Sequence, residues 1–346
     1  EALGVGHYRF SIEWSRIQPQ EGDWEDAAIQ QYSEMIDNLL SRGIEPMITL
    51  HHFSHPIWFE EKGGFLNREN IHYWVDYCER VFAALSDRVT NWCTVNEPEV
   101  FSIMGYHMKL FPPGKGSIRK TICVMQNVVR AHATVYHSLK AIKPGARIGL
   151  AKNITIFDPL RRWNLLHWLT TFILNHIWNG AILTALTKGK MFGRRIPKAK
   201  GSLDYIGLNY YTHALVSPFI PQTIEVDLPK RPHEVMTEFG YPMYAEGLER
   251  SVEMLASLGV PIEITENGVA DSEDTLRPEH LKRHLWTISE MLKKGQDIRS
   301  YYHWSLMDNF EWAEGYSLRF GLYHVNYDTQ ERTLRKSGEI YRQIIN

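Results

Sequence analysis

Cysteine is scarce in this sequence: Cys78, Cys93 and Cys123 are an odd set with no close pair, so neither a disulfide framework nor a metal knuckle is indicated. A reducing compartment, and hence a cytoplasmic protein, is expected. Charge of one sign is lacking too. Lys plus Arg number 38 against 40 for Asp plus Glu, a net charge of −2, so no overall field draws in nucleic acid or an anionic membrane, and neither is expected as a partner. Long hydrophobic runs are missing as well. Only Leu165 to Leu186 approaches a membrane span, and His167, Asn175, His176 and Asn179 interrupt it, so it reads as a buried helix of the barrel. The opening Glu1-Ala2-Leu3-Gly4 carries neither the basic nor the apolar region of a secretory signal. What the chain does hold is aromatic: 12%, with 11 Trp and 17 Tyr, suited to a large core and to a cleft that stacks rings on the apolar faces of sugars.

Short β-rich runs alternate with longer helical patterns. Strands are predicted at His7 to Ile12, Pro46 to His52, Val89 to Val95, Arg147 to Ala151, Tyr205 to Tyr210, Ile262 to Thr265 and Ser300 to Trp304. Helices are predicted at about Ala27 to Arg42, Arg68 to Leu85, Thr121 to Ile142, Leu165 to Leu186, Ala245 to Leu258, His280 to Lys293 and after Lys336. Such alternation implies a parallel sheet, and this many repeats implies an α/β fold of the (β/α)8 barrel type. Seven strands are found where closure needs eight. Because Glu1 to Val5 reads as a helix end running into a strand, the first strand and most of the first helix are expected to be absent from this sequence. One catalytic domain over residues 1–346 is expected, with Pro218 to His233 as a surface loop.

Two predicted strands end in a glutamate beside an asparagine and a turn former: Asn96-Glu97-Pro98 and Glu266-Asn267-Gly268. Strand ends of a parallel barrel gather round one cavity, so these carboxyls can face each other across the intervening sequence. A pair of this kind is what glycoside hydrolysis requires, one protonated to assist the leaving oxygen and one ionised to attack the anomeric carbon. Taken singly, each would read as a solvated cap.

Further motifs surround these two. They are Tyr8-Arg9-Phe10-Ser11-Ile12-Glu13-Trp14-Ser15-Arg16-Ile17, Gly207-Leu208-Asn209-Tyr210-Tyr211, Thr265-Glu266-Asn267-Gly268 and Trp304-Ser305-Leu306-Met307-Asp308-Asn309-Phe310-Glu311-Trp312, the last followed by Arg319-Phe320-Gly321-Leu322. In these, and in their order along nearly the whole chain, the sequence resembles family 1 glycoside hydrolases, the β-glucosidase family. The resemblance implies a retaining β-glycosidase with Glu97 as acid/base and Glu266 as nucleophile, their carboxyls about 5 Å apart. It further implies that Arg9 and Tyr211 bond and aim the nucleophile, and that Asn96 holds the sugar 2-hydroxyl. His52, Asn209, Trp304, Glu311 and Trp312 would bind substrate, Trp304 under the apolar face of the sugar and Glu311 with Trp312 on its far hydroxyls. Because Glu311 would repel a phosphate, an unphosphorylated β-glycoside or oligosaccharide is the expected partner. No cofactor and no metal are expected.

The segment Leu50-His51-His52-Phe53-Ser54-His55-Pro56 departs from the family's His-Trp-Asp-Leu-Pro pattern. His52 and Phe53 align with its His and Trp, leaving His51 and His55 to core or loop roles. Asn153 to Lys200 also departs from the family, so the aglycone cannot be read. The family's first strand carries a Gln that binds the sugar, and its expected loss leaves a second reading beside the hydrolase: a catalytically weak or inactive sugar-binding relative.

Overall fold

Residues 3–218 and 229–346 are described by the computed structural model. The runs rich in β-branched and aromatic residues form seven strands: β1 (His7–Ser11), β2 (Glu45–His51), β3 (Asn91–Asn96), β4 (Arg147–Pro159), β5 (Tyr205–Val216), β6 (Ile262–Asn267) and β7 (Ile298–His303). Their order in the sheet is their order in the chain, with β1 and β7 as the two end members. The pairs β1/β2, β2/β3, β3/β4 and β6/β7 are parallel. Helices follow the strands: α1 (Asp26–Ser41), α2 (Ile71–Leu85), α3 (Ile118–Ile142), α4 (Leu165–Leu174), α5 (Ala181–Lys188), α6 (Glu246–Ala256), α7 (Arg277–Lys293) and α8 (Lys336–Ile345). Sequence order and sheet order coincide when each crossover returns the chain beside the strand it has just left.

The chain divides into two compact units, 6–152 with 182–207 and 1–5 with 153–181 and 208–346. Of the four boundaries between them, two fall inside strands, between Lys152 and Asn153 of β4 and between Gly207 and Leu208 of β5.

In the first unit the core is aromatic. Trp14 is buried and stacks on Tyr77 with ring centroids 4.9 Å apart, while Phe59 tilts against it at 4.7 Å. The Tyr77 hydroxyl lies 3.2 Å from the carbonyls of both Ile12 and Leu50, so it satisfies backbone just beyond β1 and within β2. Each ring buried this completely contributes about 1.5–3 kcal/mol relative to exposure. In the second unit Leu3, Leu281, Leu322 and Tyr341 form a cluster that ties α7 and α8 to residues near both ends of the chain.

Two kinds of difference from the predicted elements have physical causes. Strands β4 and β5 run on to Pro159 and Val216, because Ile154-Thr155-Ile156-Phe157 and Tyr211 to Val216 remain β-branched and aromatic beyond the predicted ends. The single helix predicted for Leu165 to Leu186 is interrupted by a π-helical turn at Asn175–Gly180. There Asn175 Nδ2 donates to the Thr171 carbonyl at 3.1 Å and Asn179 Nδ2 to the Thr155 carbonyl at 2.8 Å, so side chains compete for acceptors at the break. Of the predicted loop Pro218 to His233, residues 219–228 lie outside the described residues, as do Glu1 and Ala2 of the opening segment. Among the described residues no helix is long and apolar enough to cross a membrane.

Candidate active site

In the first unit, the C-terminal ends of β1, β2 and β3 bring together Arg9, His52, Asn96 and Glu97. Asn96 is the last residue of β3 and fully buried; Glu97 follows it at 6% exposure and donates its N–H to the Ala151 carbonyl of β4 at 2.8 Å. Glu97 has φ 45°, in the left-handed region that non-glycine residues rarely occupy, and Pro98 then starts a short helix. Such a conformation costs on the order of 1–3 kcal/mol and persists where the surroundings enforce it.

A chain of hydrogen bonds sets the orientation of Asn96. Arg9 donates to Asn96 Oδ1 at 2.6 Å and to Thr49 Oγ1 at 3.1 Å. Because a guanidinium only donates, the amide oxygen must face Arg9 and the amide nitrogen must face His52, whose Nε2 lies 3.1 Å away. Nε2 therefore accepts, which places the ring proton on Nδ1, 3.1 Å from Ser11 Oγ. Burial, and then the neighbouring Arg9 charge, hold His52 well below its ordinary range, consistent with this neutral tautomer. His51 points elsewhere, edge-on to Phe65, Trp74 and Phe101, and His55 lies beside it, 3.3 Å from Glu60 Oε2.

The second unit supplies the other carboxyl. Glu266 is the next-to-last residue of β6, 4% exposed, and Tyr211 of β5 donates its hydroxyl to Glu266 Oε2 at 2.7 Å. Its neighbours are fixed from both sides: Thr265 donates to Asn209 Oδ1 at 2.6 Å, and Asn267 donates to the Tyr210 carbonyl at 2.7 Å. Gly268 allows the closest approach, since a Cβ there would sit 1.8 Å from the Trp304 carbonyl oxygen just past β7. Trp304 in turn donates its indole N–H to Glu311 Oε2 at 3.3 Å. Burial pushes the Glu311 carboxyl up to about 7, with the Trp304 bond acting against the rise and the Glu266 charge adding to it. Trp312, the next residue, is half-buried with φ 48°.

Three supporting residues carried no role in the sequence reading. Lys152, fully buried in β4, lies 2.9 Å from the equally buried Glu99. Burial lowers its proton affinity, while Glu99 and then Glu97 raise it. A lysine within Leu150-Ala151-Lys152 is the signal that was available, because a cation inside an apolar strand demands a buried acid. Glu13 accepts from Ser15 Oγ at 2.7 Å and Ser54 Oγ at 2.5 Å, joining the segments after β1 and β2. Asp308 takes Arg335 at 2.8 and 3.1 Å and the N–H groups of Gly321 and Val325 at 2.9 and 3.1 Å, closing the segment that holds Trp304, Glu311 and Trp312.

Comparison with known proteins identifies the family. The model of glycosyl hydrolase family 1 matches residues 1–346. Beta-glucosidase A of Thermotoga maritima is 32% identical over 380 residues, covering 100% of this chain and 83% of that protein. Beta-glucosidase A of Acetivibrio thermocellus is also 32% identical, over 99% of this chain and 83% of its own. Among solved structures, the beta-glycosidase from Pyrococcus horikoshii superposes with a TM-score of 0.92 at 38% identity, covering 99% of this chain and 81% of that one. The family 1 β-glucosidase of Thermotoga maritima gives the same score at 30% identity. The fold is thus the (β/α)8 barrel type, and this chain belongs to glycosyl hydrolase family 1, whose members are retaining glycoside hydrolases.

Proposed function

We propose that the chain hydrolyses unphosphorylated β-D-glycosides by double displacement, with Glu97 as acid/base and Glu266 as nucleophile. The observation that carries this reading is two buried carboxyls at the C-terminal ends of parallel strands, one of them held by a tyrosine hydroxyl. In the first step Glu266 attacks the anomeric carbon while Glu97 gives its proton to the leaving oxygen. The C–O bond to the aglycone breaks as the bond to Glu266 forms. In the second step Glu97, now a carboxylate, takes a proton from water, which attacks the same carbon and frees Glu266 with overall retention.

The remaining residues then have positioning and binding roles. Tyr211, and Arg9 with it, aim the nucleophile; Asn96 presents its amide to the 2-hydroxyl, where a bond strengthens as the ring flattens towards the transition state. His52 supports that amide through Nε2 and also meets the sugar. Trp304 lies under the apolar face, with Asn209, Glu311 and Trp312 completing the grip. Glu311 disfavours a sugar phosphate, most strongly above pH 7, where its carboxyl is charged.

The test is Glu266→Gln with azide as an added nucleophile. Turnover of an aryl β-glucoside should vanish in the variant, and azide should restore it with the inverted glycosyl azide as product. A retained azide would instead exchange the roles of the two glutamates. Alongside it, the aryl β-glucoside should be cleaved far faster than its 6-phosphate.

A further inference from the structure

Helix α4 is built inside out. The inward positions of α4 and of the π-helical turn after it are polar: His167, Thr171 and Asn179 are buried, with Asn175 between the last two at the same helical spacing. His167 Nδ1 accepts the Arg161 N–H at 3.1 Å, and Asn175 and Asn179 donate to the Thr171 and Thr155 carbonyls. The outward face and its approach are apolar: Leu165 is 82% exposed, Trp163 76%, Phe172 69%, Leu169 54%, Trp168 48% and Ile173 45%. A helix packed on a soluble body normally turns such residues inward, where each contributes about 1.5–3 kcal/mol. A contiguous apolar surface of this kind fits an environment less polar than water.

Two observations identify that environment. The first is charge. Arg161 and Arg162 stand exposed before the helix, the Arg161 guanidinium 5.7 Å from the Trp163 ring. From Pro159 to Ala181 the chain has no Asp or Glu, and Arg161 and Arg162 are the only Lys or Arg residues in that stretch. The whole-chain net charge of −2 conceals this local excess. The second is composition: tryptophans with leucine and phenylalanine beside arginine suit the boundary between lipid headgroups and acyl chains.

We propose that α4 docks this enzyme on an anionic lipid surface, lying in the interfacial plane without crossing it. The test uses the full chain with vesicles of phosphatidylglycerol or of phosphatidylcholine, separated by sedimentation. Wild type should bind the anionic vesicles at least about ten-fold more tightly, the scale set by two or more cations near such a surface. Leu169→Glu with Phe172→Glu should abolish that binding and keep turnover of a soluble aryl β-glucoside. Arg161→Gln with Arg162→Gln should weaken binding to the anionic vesicles alone, which provides a second measurement if the first variant fails to fold. Absence of wild-type binding, equal binding to both lipids, or binding unchanged in every variant would overturn the proposal. A dimer that the glutamate variant dissolves, without vesicle binding, would assign the face to self-association instead.

Discussion

The proposed reaction gives the three carboxyls Glu97, Glu266 and Glu311 different tasks. Glu97→Gln removes the proton donor and leaves the nucleophile, so substrates with poor leaving groups should slow by about 10²–10⁴-fold while activated aryl glycosides lose far less in the first step. Equal losses on both substrates, measured as kcat/KM, would count against Glu97 as the acid. Glu311 makes a pH prediction. Its carboxyl titrates near 7 without ligand, and sugar hydroxyls donate to the charged form, so affinity for a neutral sugar inhibitor should weaken as pH falls below about 7. Glu311→Gln should flatten that profile. Lys152 offers a stability prediction: Lys152→Met leaves Glu99 buried without its cation and should cost about 3–5 kcal/mol in urea unfolding. Adding Glu99→Leu should recover much of the loss. The two catalytic candidates were legible because each sits in a strand-end motif with an asparagine. Lys152 signals a buried acid by standing in an apolar strand, but nothing local reveals that the acid is residue 99.

At the scale of elements, strand positions were legible and strand lengths were not. The periodicity that marks Arg147 to Ala151 continues to Pro159 through residues that served equally well as loop. Nor did apolar periodicity distinguish inside from outside in α4: the leucines and tryptophans predict a buried stripe, yet the polar residues between them hold the inward bonds. The segment after β7 is fixed by one acid. Burial works to raise the Asp308 carboxyl, but Arg335 and the N–H groups of Gly321 and Val325 overcome it and hold it below the ordinary carboxylate range. Asp308→Ala leaves Arg335 unpaired and should lower stability by about 3–5 kcal/mol. Because Trp304, Glu311 and Trp312 lie on the same segment, KM for an aryl β-glucoside should rise together with that loss. An unchanged KM would show that the segment keeps its shape without Asp308.

Taken whole, the molecule carries an acid-sensitive cluster. His280 and His284 stack with ring centroids 3.8 Å apart, and neither nitrogen of His280 nor Nε2 of His284 or His303 has a hydrogen-bond partner among the described residues. Burial lowers all three, His284 to about 4 and His303 to about 3. For a base depressed in the native state, the stability contribution is present above the ordinary value near 6.5 and is lost as pH falls towards the native value. The loss approaches about 1.4 kcal/mol per pH unit for each histidine while only the unfolded chain is protonated. Glu311 runs the other way, since its raised value costs stability above its ordinary range and most of all above 7. The midpoint of thermal unfolding should therefore drop between pH 6.5 and 4, and His280→Phe should make the drop shallower. Two of the chain boundaries between the compact units fall inside β4 and β5, which has a practical consequence for splitting the gene. A cut at either boundary severs a strand in mid-course, so each fragment would end in a raw, sticky edge, and separately produced halves should precipitate unless made together.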